Sequence, residues 1–301
     1  MRFGGHETFP VREGWLHKGL KLVAEEPEKL GDEHVADWLG VGRNMAKSIR
    51  HWLQATGLCQ QVGGGRHRKG AMLELTGLGH LVWDRDPYFT DIGTWWALHV
   101  NLISSPEHAV TWDWFFNNFK LQRFDKAVCL DSLQRFLQMQ RGRIPSPRTL
   151  DRDASCLLLS YSRSTPDRGV DPEEAQESPF TELGLLSHYR TSGYYEVHRG
   201  TKAIPAHILC YSLARSFQGE AEDGPIQAPV QEASWRRGGP GNAFCMMAED
   251  LYEAAVQAEH ARMGLEIQGL AGERRLVVDR RPEIDWLEAH YTSEGMSSQA
   301  A

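Results

Sequence analysis

His6 and Glu7 set an imidazole beside a carboxylate, and Arg12 adds a guanidinium five positions further on. A general base, a carboxylate and a cation able to hold a phosphate are parts of a phosphodiester-cleaving centre. Such a centre must activate a nucleophile, neutralise charge at phosphorus and assist the leaving oxygen. The same three side chains can instead cap and anchor the N-terminal segment on the body of the protein, and both readings stand at this stage. Asp151 and Asp153 place two further acids near an expected helix start, where carboxylates stabilise the helix dipole without doing chemistry. Pro166-Asp167 followed by Glu196-Val197-His198 follows a metal-dependent nuclease pattern loosely, with His198 where a water-polarising lysine belongs. Glu173-Glu174 reads as solvated surface. Trp235-Arg236-Arg237-Gly238-Gly239-Pro240-Gly241 is either a basic clamp for a nucleic-acid backbone or a plain loop. It lacks the Lys-Ser/Thr that completes a phosphate-binding loop, so no nucleotide cofactor is expected. Mg2+ or another divalent metal is the expected helper of cleavage, with no ligand set named by the spacing.

Charge segregation marks a second group. Residues 39–73 contain Arg43, Lys47, Arg50, Arg66, Arg68 and Lys69 and no Asp or Glu, whereas the whole chain has a net charge of −7, leaving −13 outside the stretch. A basic island in an acidic chain is the footprint of a nucleic-acid contact.

The elements that must position these residues follow from periodicity. Residues 33–39 read as a short helix presenting Val35, Trp38 and Leu39, stopped by Gly40-Val41-Gly42, and a second helix begins near Arg43. Around that helix Met45, Ile49, Trp52, Leu53 and Thr56 share one side, and Arg43, Lys47, Arg50 and Gln54 share the other. Gly57 ends it, and two short strands at 58–62 and 72–75 flank a glycine-rich turn with a basic tip. The whole reads as a winged helix. Arg43, Asn44, Lys47, Arg50, Arg66, His67, Arg68 and Lys69 are its candidate DNA-binding residues, with Arg43 and Asn44 near the helix start placed to read base edges. The alternative is a solvated helix face and a wing that docks another protein.

The aromatic segments 92–102 and 112–119 can stack unpaired bases but read as core, because aromatic stripes at helical spacing pack inward. Further helices are expected at 124–139, 150–161, 179–186, 205–217, 243–263 and 284–291. Strands are expected at 189–198 and within 265–279, and 219–230 reads as a loop. A second winged-helix-like unit fits the region after 146. The expected domains are residues 1–82, 83–145 and 146–291, with a disordered tail at 292–301. Five dispersed cysteines without a CxxC pair read as reduced, mostly buried thiols. With no long apolar run and no signal-like N-terminus, the expectation is a soluble, cytoplasmic protein without membrane contact.

Several separated motifs occur in a fixed order: Phe3-Gly4-Gly5-His6-Glu7-Thr8-Phe9 with Gly14-Trp15-Leu16, then Gly40-Val41-Gly42-Arg43-Asn44-Met45 with Ser48-Ile49-Arg50. Asp86-Pro87-Tyr88 and Ser178-Pro179-Phe180-Thr181-Glu182-Leu183-Gly184-Leu185 follow. Together they resemble the DUF4007 family from residue 3 to about 291. Arg43 stands where the family commonly has lysine, and Trp95-Trp96-Ala97-Leu98-His99 replaces a more leucine-rich run. The resemblance implies a DNA-nicking component of bacterial DNA-phosphorothioation defence, working beside a cysteine desulfurase, an ATP pyrophosphatase and an ATPase. The combined expectation is a mainly α-helical α+β protein with an N-terminal winged helix-turn-helix followed by helical and winged-helix-like domains. It is a DNA nicking endonuclease with His6, Glu7 and Arg12 as catalytic group, or alternatively a non-catalytic DNA-binding adaptor that recruits the sulfur-transfer enzymes.

Overall fold

Leu16, Leu20 and Val23 recur at helical spacing, and α1 (Trp15–Glu25) buries all three. In the computed structural model, which describes residues 2–31, 34–62, 72–140, 144–164, 177–219, 224–270 and 272–299, the chain divides into two compact units, Met1–His198 and Arg199–Ala301. It is a mixed α+β protein in which helix predominates.

In the first unit, α2 (Val35–Leu39) and α3 (Arg43–Ala55) follow α1. Gly40, at φ 63°, ends α2, where the N–H groups of Gly40 and Val41 return to the carbonyls of Asp37 and Ala36. Extended Gly42 then starts α3. Gly19 lets α1 and α3 approach: a Cβ there would lie 2.7 Å from Ile49 Cγ2 and 2.9 Å from Leu53 Cδ1. After α3, β1 (Cys59–Val62) pairs antiparallel with β2 (Met72–Leu75), Cys59 opposite Leu75. Their connection, with Arg66, His67, Arg68 and Lys69, lies outside the described residues.

Helix α4 (Gly77–Arg85), capped by Thr76, occupies a stretch where no element was expected. α5 (Ile92–Leu102) is buried at every position from Gly93 onward, and α6 (Pro106–Asn118) kinks at Ala109. All seven aromatic residues of the two segments are buried, against Phe124, Tyr161 and Phe180 among others. This is the core role expected of them. β3 (Arg123–Asp125), α7 (Lys126–Met139), α8 (Pro147–Tyr161), β4 (Ser162–Ser164), a 3-10 turn (Pro179–Leu183), β5 (Leu186–Tyr189) and β6 (Tyr194–Val197) complete the unit. The sheet order is β3-β6-β5-β4, with β4 parallel to β5 and the other pairs antiparallel. The 179–186 helix thus becomes a single 3-10 turn, ended by Gly184 at φ 62°.

The second unit holds α9 (Ala206–Ser216), β7 (Ile226–Pro229), α10 (Val230–Trp235), α11 (Pro240–Ala243), α12 (Ala248–His260), β8 (Leu265–Leu270), β9 (Glu273–Val278) and α13 (Glu283–Gln299). The sheet order is β7-β9-β8, all antiparallel. Three expectations are corrected. The long helix over 243–263 is broken, because Cys245 takes φ 53° and the Asp250 carboxylate caps a fresh helix start by accepting the Met247 N–H at 2.9 Å. The 219–230 loop contains strand β7, and α13 continues as helix past Thr292.

The packing of α11 on the turn that precedes it tolerates no side chain at Gly241, where a Cβ would lie 2.2 Å from the Ser234 carbonyl oxygen and 2.3 Å from its Cα. Backbone cannot yield as a flexible side chain can. Gly241→Ala is expected to cost about 3 kcal/mol, read as a lowered denaturant midpoint; an unchanged midpoint would show that the turn relaxes.

All five cysteines are free and buried. Burial pushes the thiols of Cys59, Cys129 and Cys210 up to about 12, so none of these presents a thiolate nucleophile near neutral pH. No helix among the described residues is long and apolar enough to cross a membrane.

Candidate nucleic-acid interface

Helix α3 exposes side chains only in its first turn and a half. Arg43, Asn44 and Lys47 are exposed, whereas Ala46, Ser48, Ile49 and every residue from His51 to Ala55 are buried. The buried face is therefore wider than periodicity suggested. Gln54, expected on the polar side, is buried and donates to the Arg50 carbonyl at 3.0 Å. Arg50 is half-buried, donating to the Leu30 carbonyl at 3.0 Å, and burial followed by the nearby Arg2 lowers its pKa. Its role is partly to tie α3 to the segment before α2, a correction to its placement among freely presented cations. The open donors are thus concentrated at the helix start, the part of a helix that reaches bases and phosphates most directly.

The N-terminal segment folds as a hook against this helix. Gly4, Glu7 and Thr8 all take positive φ, 68°, 49° and 74°. For a β-branched threonine this is an outlying conformation, retained only where surrounding contacts enforce it. Those contacts are present. Phe9 offers its carbonyl to Trp52 Nε1 at 3.0 Å and to Ser48 Oγ at 3.4 Å. His6, 1% exposed, lies against Trp52 and Trp112. The Thr8 N–H donates to His6 Nδ1 at 3.1 Å, so Nδ1 carries the lone pair. The proton therefore sits on Nε2, which donates to Asp153 Oδ1 at 3.0 Å.

Asp153 also accepts from the Gly4 N–H at 2.9 Å and from Thr111 Oγ1 at 3.2 Å. The helix-dipole reading of Asp151 and Asp153 is corrected: α8 starts at Pro147 and has no acid in its first turn, while Asp153 is buried further along. Asp151 instead pairs with Lys126 at 2.7 Å. Both ring nitrogens of His6 are engaged, which is the anchoring arrangement rather than that of an open base.

Glu7, on the same hook, remains open. Its side chain is 36% exposed and one oxygen lies 3.9 Å from Lys47 Nζ, which also donates to Asn44 Oδ1 at 3.3 Å. Residues 6–7 and the start of α3 therefore meet, though no sequence signal connects them. Arg12 does not join them. Its guanidinium lies over Phe9 and Trp15, 5.6 and 5.5 Å from the ring centroids, and it lines a cleft to which His6 and Glu7 do not contribute.

The remaining candidates carry less. Glu196 accepts from the Tyr189 hydroxyl on the β5–β6 hairpin, and Pro166, Asp167, Glu173 and Glu174 lie outside the described residues. Arg236 folds back on Phe217 and donates to the Ser216 carbonyl, so it is engaged within its own unit. No group of three or more His, Cys, Asp or Glu among the described residues is placed to hold a metal ion.

The sequence reading missed His51, which is 2% exposed against His6, with Nδ1 lacking a hydrogen-bond partner among the described residues. Burial, reinforced by His6, Arg2 and His108, holds its pKa well below 6.5. Because the unfolded chain binds a proton there and the folded one does not, stability is lost as pH falls below 6.5, by up to ~1.4 kcal/mol per pH unit. His51→Gln is expected to flatten the acid limb of the stability profile by that slope; an unaltered limb would assign it to other groups.

Residues 3–291 match the model of a family described as a protein of unknown function, DUF4007. Among solved structures the chain is similar to SspB, in one crystal structure bound to magnesium ion and in another without that description. Each shows 26% identity and a TM-score of 0.84 over 96% of this chain and 88% of the other. No curated protein matches the sequence.

Proposed function

The chain belongs to the DUF4007 family, and from that premise we propose that it is a DNA-nicking component of a phosphorothioation system, engaging DNA through a winged helix built from α1, α2, α3 and the β1–β2 hairpin. One observation carries the reading: Arg43, Asn44 and Lys47 are presented together on the first turns of a helix whose remaining turns are buried. The likeness to SspB supports it at the level of the fold. In this reading Arg43 and Asn44 reach base edges, Lys47 binds phosphate, and the wing residues Arg66, His67, Arg68 and Lys69 track the backbone.

Glu7 is the catalytic carboxylate of this proposal. It takes a proton from the water as that water's oxygen bonds to phosphorus, the bond from phosphorus to the leaving oxygen breaks, and the leaving oxygen takes up a proton from solvent, while Lys47 offsets the growing negative charge. His6 and Asp153 act as positioning residues that hold the strained hook in place. Arg12, lining another cleft, has no part in this step. Magnesium accompanies SspB in one structure. The described residues here form no preorganised cage for it, and Mg2+ is commonly held by one or two carboxylates with substrate phosphates.

A second reading, the DNA-binding adaptor that recruits the cysteine desulfurase, ATP pyrophosphatase and ATPase, is favoured by the engagement of both His6 ring nitrogens. Conversion of supercoiled plasmid to open circle, with and without EDTA, separates the two. The nickase produces open circle and Glu7→Gln abolishes it while still binding DNA. Closed circle from wild-type protein with binding intact supports the adaptor.

A further inference from the structure

Motifs far apart in the chain, and unused by the α3 interface, meet in one cleft of the first unit, about 690 Å3 in volume. Its walls come from the start of α1, the turn after α4 and residues 177–182. The turn after α4 is built rigidly. Asp86, 5% exposed, accepts from the Thr90 and Asp91 N–H groups and from the hydroxyls of Thr90 and Thr94. This turn presents Tyr88, which is 72% exposed. The Tyr88 ring is not adrift: it stacks on His17 at 4.7 Å and 23°, and His17 stacks on Trp83 at 6.1 Å and 25°. His17 Nδ1 donates to the Pro87 carbonyl at 2.8 Å, fixing the middle ring and leaving Nε2 as an acceptor when the imidazole is neutral. The result is a three-ring ladder ending at an exposed ring.

Ser178 lines the same cleft. It is 2% exposed, and its hydroxyl has no hydrogen-bond partner among the described residues. Buried hydroxyls are normally paired, so an unpaired one in a cleft wall calls for a polar ligand. The charged lining is mostly acidic, with Glu13, Glu177 and Glu182 against Arg12, and Glu182 is paired with Arg163 at 2.9 Å. Carboxylates repel phosphate but accept hydrogen bonds from amines.

We infer that this cleft binds a single unpaired nucleobase carrying an exocyclic amine, stacked on Tyr88 and read by the Ser178 hydroxyl and the cleft carboxylates. This deepens the DNA reading and rests on it, since the base would come from the strand held by α3. Adenine, cytosine and guanine have the required amine; thymine does not. A π-face extends the ladder whichever base it belongs to, so stacking supplies affinity and the amine supplies selectivity.

The test titrates the full chain with the four deoxynucleosides by saturation-transfer NMR and calorimetry, and in parallel with a duplex oligonucleotide. Deoxyadenosine, deoxycytidine or deoxyguanosine should bind at least about tenfold more tightly than thymidine, and Tyr88→Ala should weaken that binding by about tenfold or more. Ser178→Ala should reduce discrimination against thymidine without removing the stacking contribution. Arg43→Ala with Lys47→Ala should leave nucleoside binding unchanged. Nucleoside binding without duplex binding would uphold the cleft and remove the DNA reading. Duplex binding without nucleoside binding, equal binding of all four, or binding unaffected by Tyr88→Ala would overturn the cleft assignment.

Discussion

Replacement of Asp153 by alanine is expected to lower the unfolding free energy of the first unit by ~3–5 kcal/mol, the range for removing one partner of a buried charged group. The carboxylate accepts from His6 Nε2, the Gly4 N–H and Thr111 Oγ1 at 3.0, 2.9 and 3.2 Å in a site only 2% exposed. Its loss strands the His6 and Thr111 donors away from water, each at the desolvation cost of an unmade hydrogen bond, and unpairs the part-buried Gly4 N–H. Asp153→Asn keeps an acceptor oxygen and should be milder. The measurement is guanidinium unfolding followed by tryptophan fluorescence, since Trp52 and Trp112 lie against His6. The hook should also loosen in this variant, so protease cleavage near residues 4–8 should accelerate beyond what global unfolding explains. An Asp153→Ala protein as stable as wild type would show that the buried network contributes little and that Glu7 is positioned by other contacts.

Arg43→Ala combined with Lys47→Ala is expected to weaken duplex DNA binding on the order of 10- to 100-fold and to flatten the salt dependence by ~2 units of log K per log salt. Both side chains are exposed at the start of α3, and among the described residues Lys47 makes only a 3.3 Å hydrogen bond to Asn44 and a 3.9 Å approach to Glu7. Their removal should therefore leave the unfolding midpoint nearly unchanged, which separates a binding loss from a folding loss. Arg50→Ala is a useful contrast. Because it bridges to the Leu30 carbonyl, it should lower stability as well as affinity. Binding isotherms at several salt concentrations test the expectation. An affinity and salt slope unmoved by the double change would mean that this helix face meets a protein rather than DNA.

Local rules made part of this architecture legible. Gly40 and Gly42 around Val41 announce a stop and a restart, and α2 and α3 flank them as expected. The glycine-rich run between two short segments, 58–62 and 72–75, marked the strands that pair as β1 and β2. The aromatic segments were read as core because so much apolar surface cannot remain in water, and they are buried. Where local rules failed, a longer-range partner decided. The helical pattern across 243–263 was genuine on both sides of the break, but the Asp250 cap and the positive φ of Cys245 divide it. β7 is only four residues long and exists because β9 supplies its hydrogen bonds.

Local sequence alone specifies the basic island, the polar start of α3, the hairpin after it and the aromatic character of the core. Each depends on residue type and spacing within a few turns of chain, where backbone geometry leaves few choices. Long-range packing sets Asp153 against His6, 147 residues away, and turns Glu7 toward Lys47 and Arg12 toward another cleft. The same holds for the Trp83-His17-Tyr88 ladder and its meeting with Ser178. An aspartate in a helix has the same local signature whether it faces water or accepts three buried hydrogen bonds. What distinguishes the two is the packing of α6, α8 and the N-terminal hook around it, and that packing is a property of the whole unit.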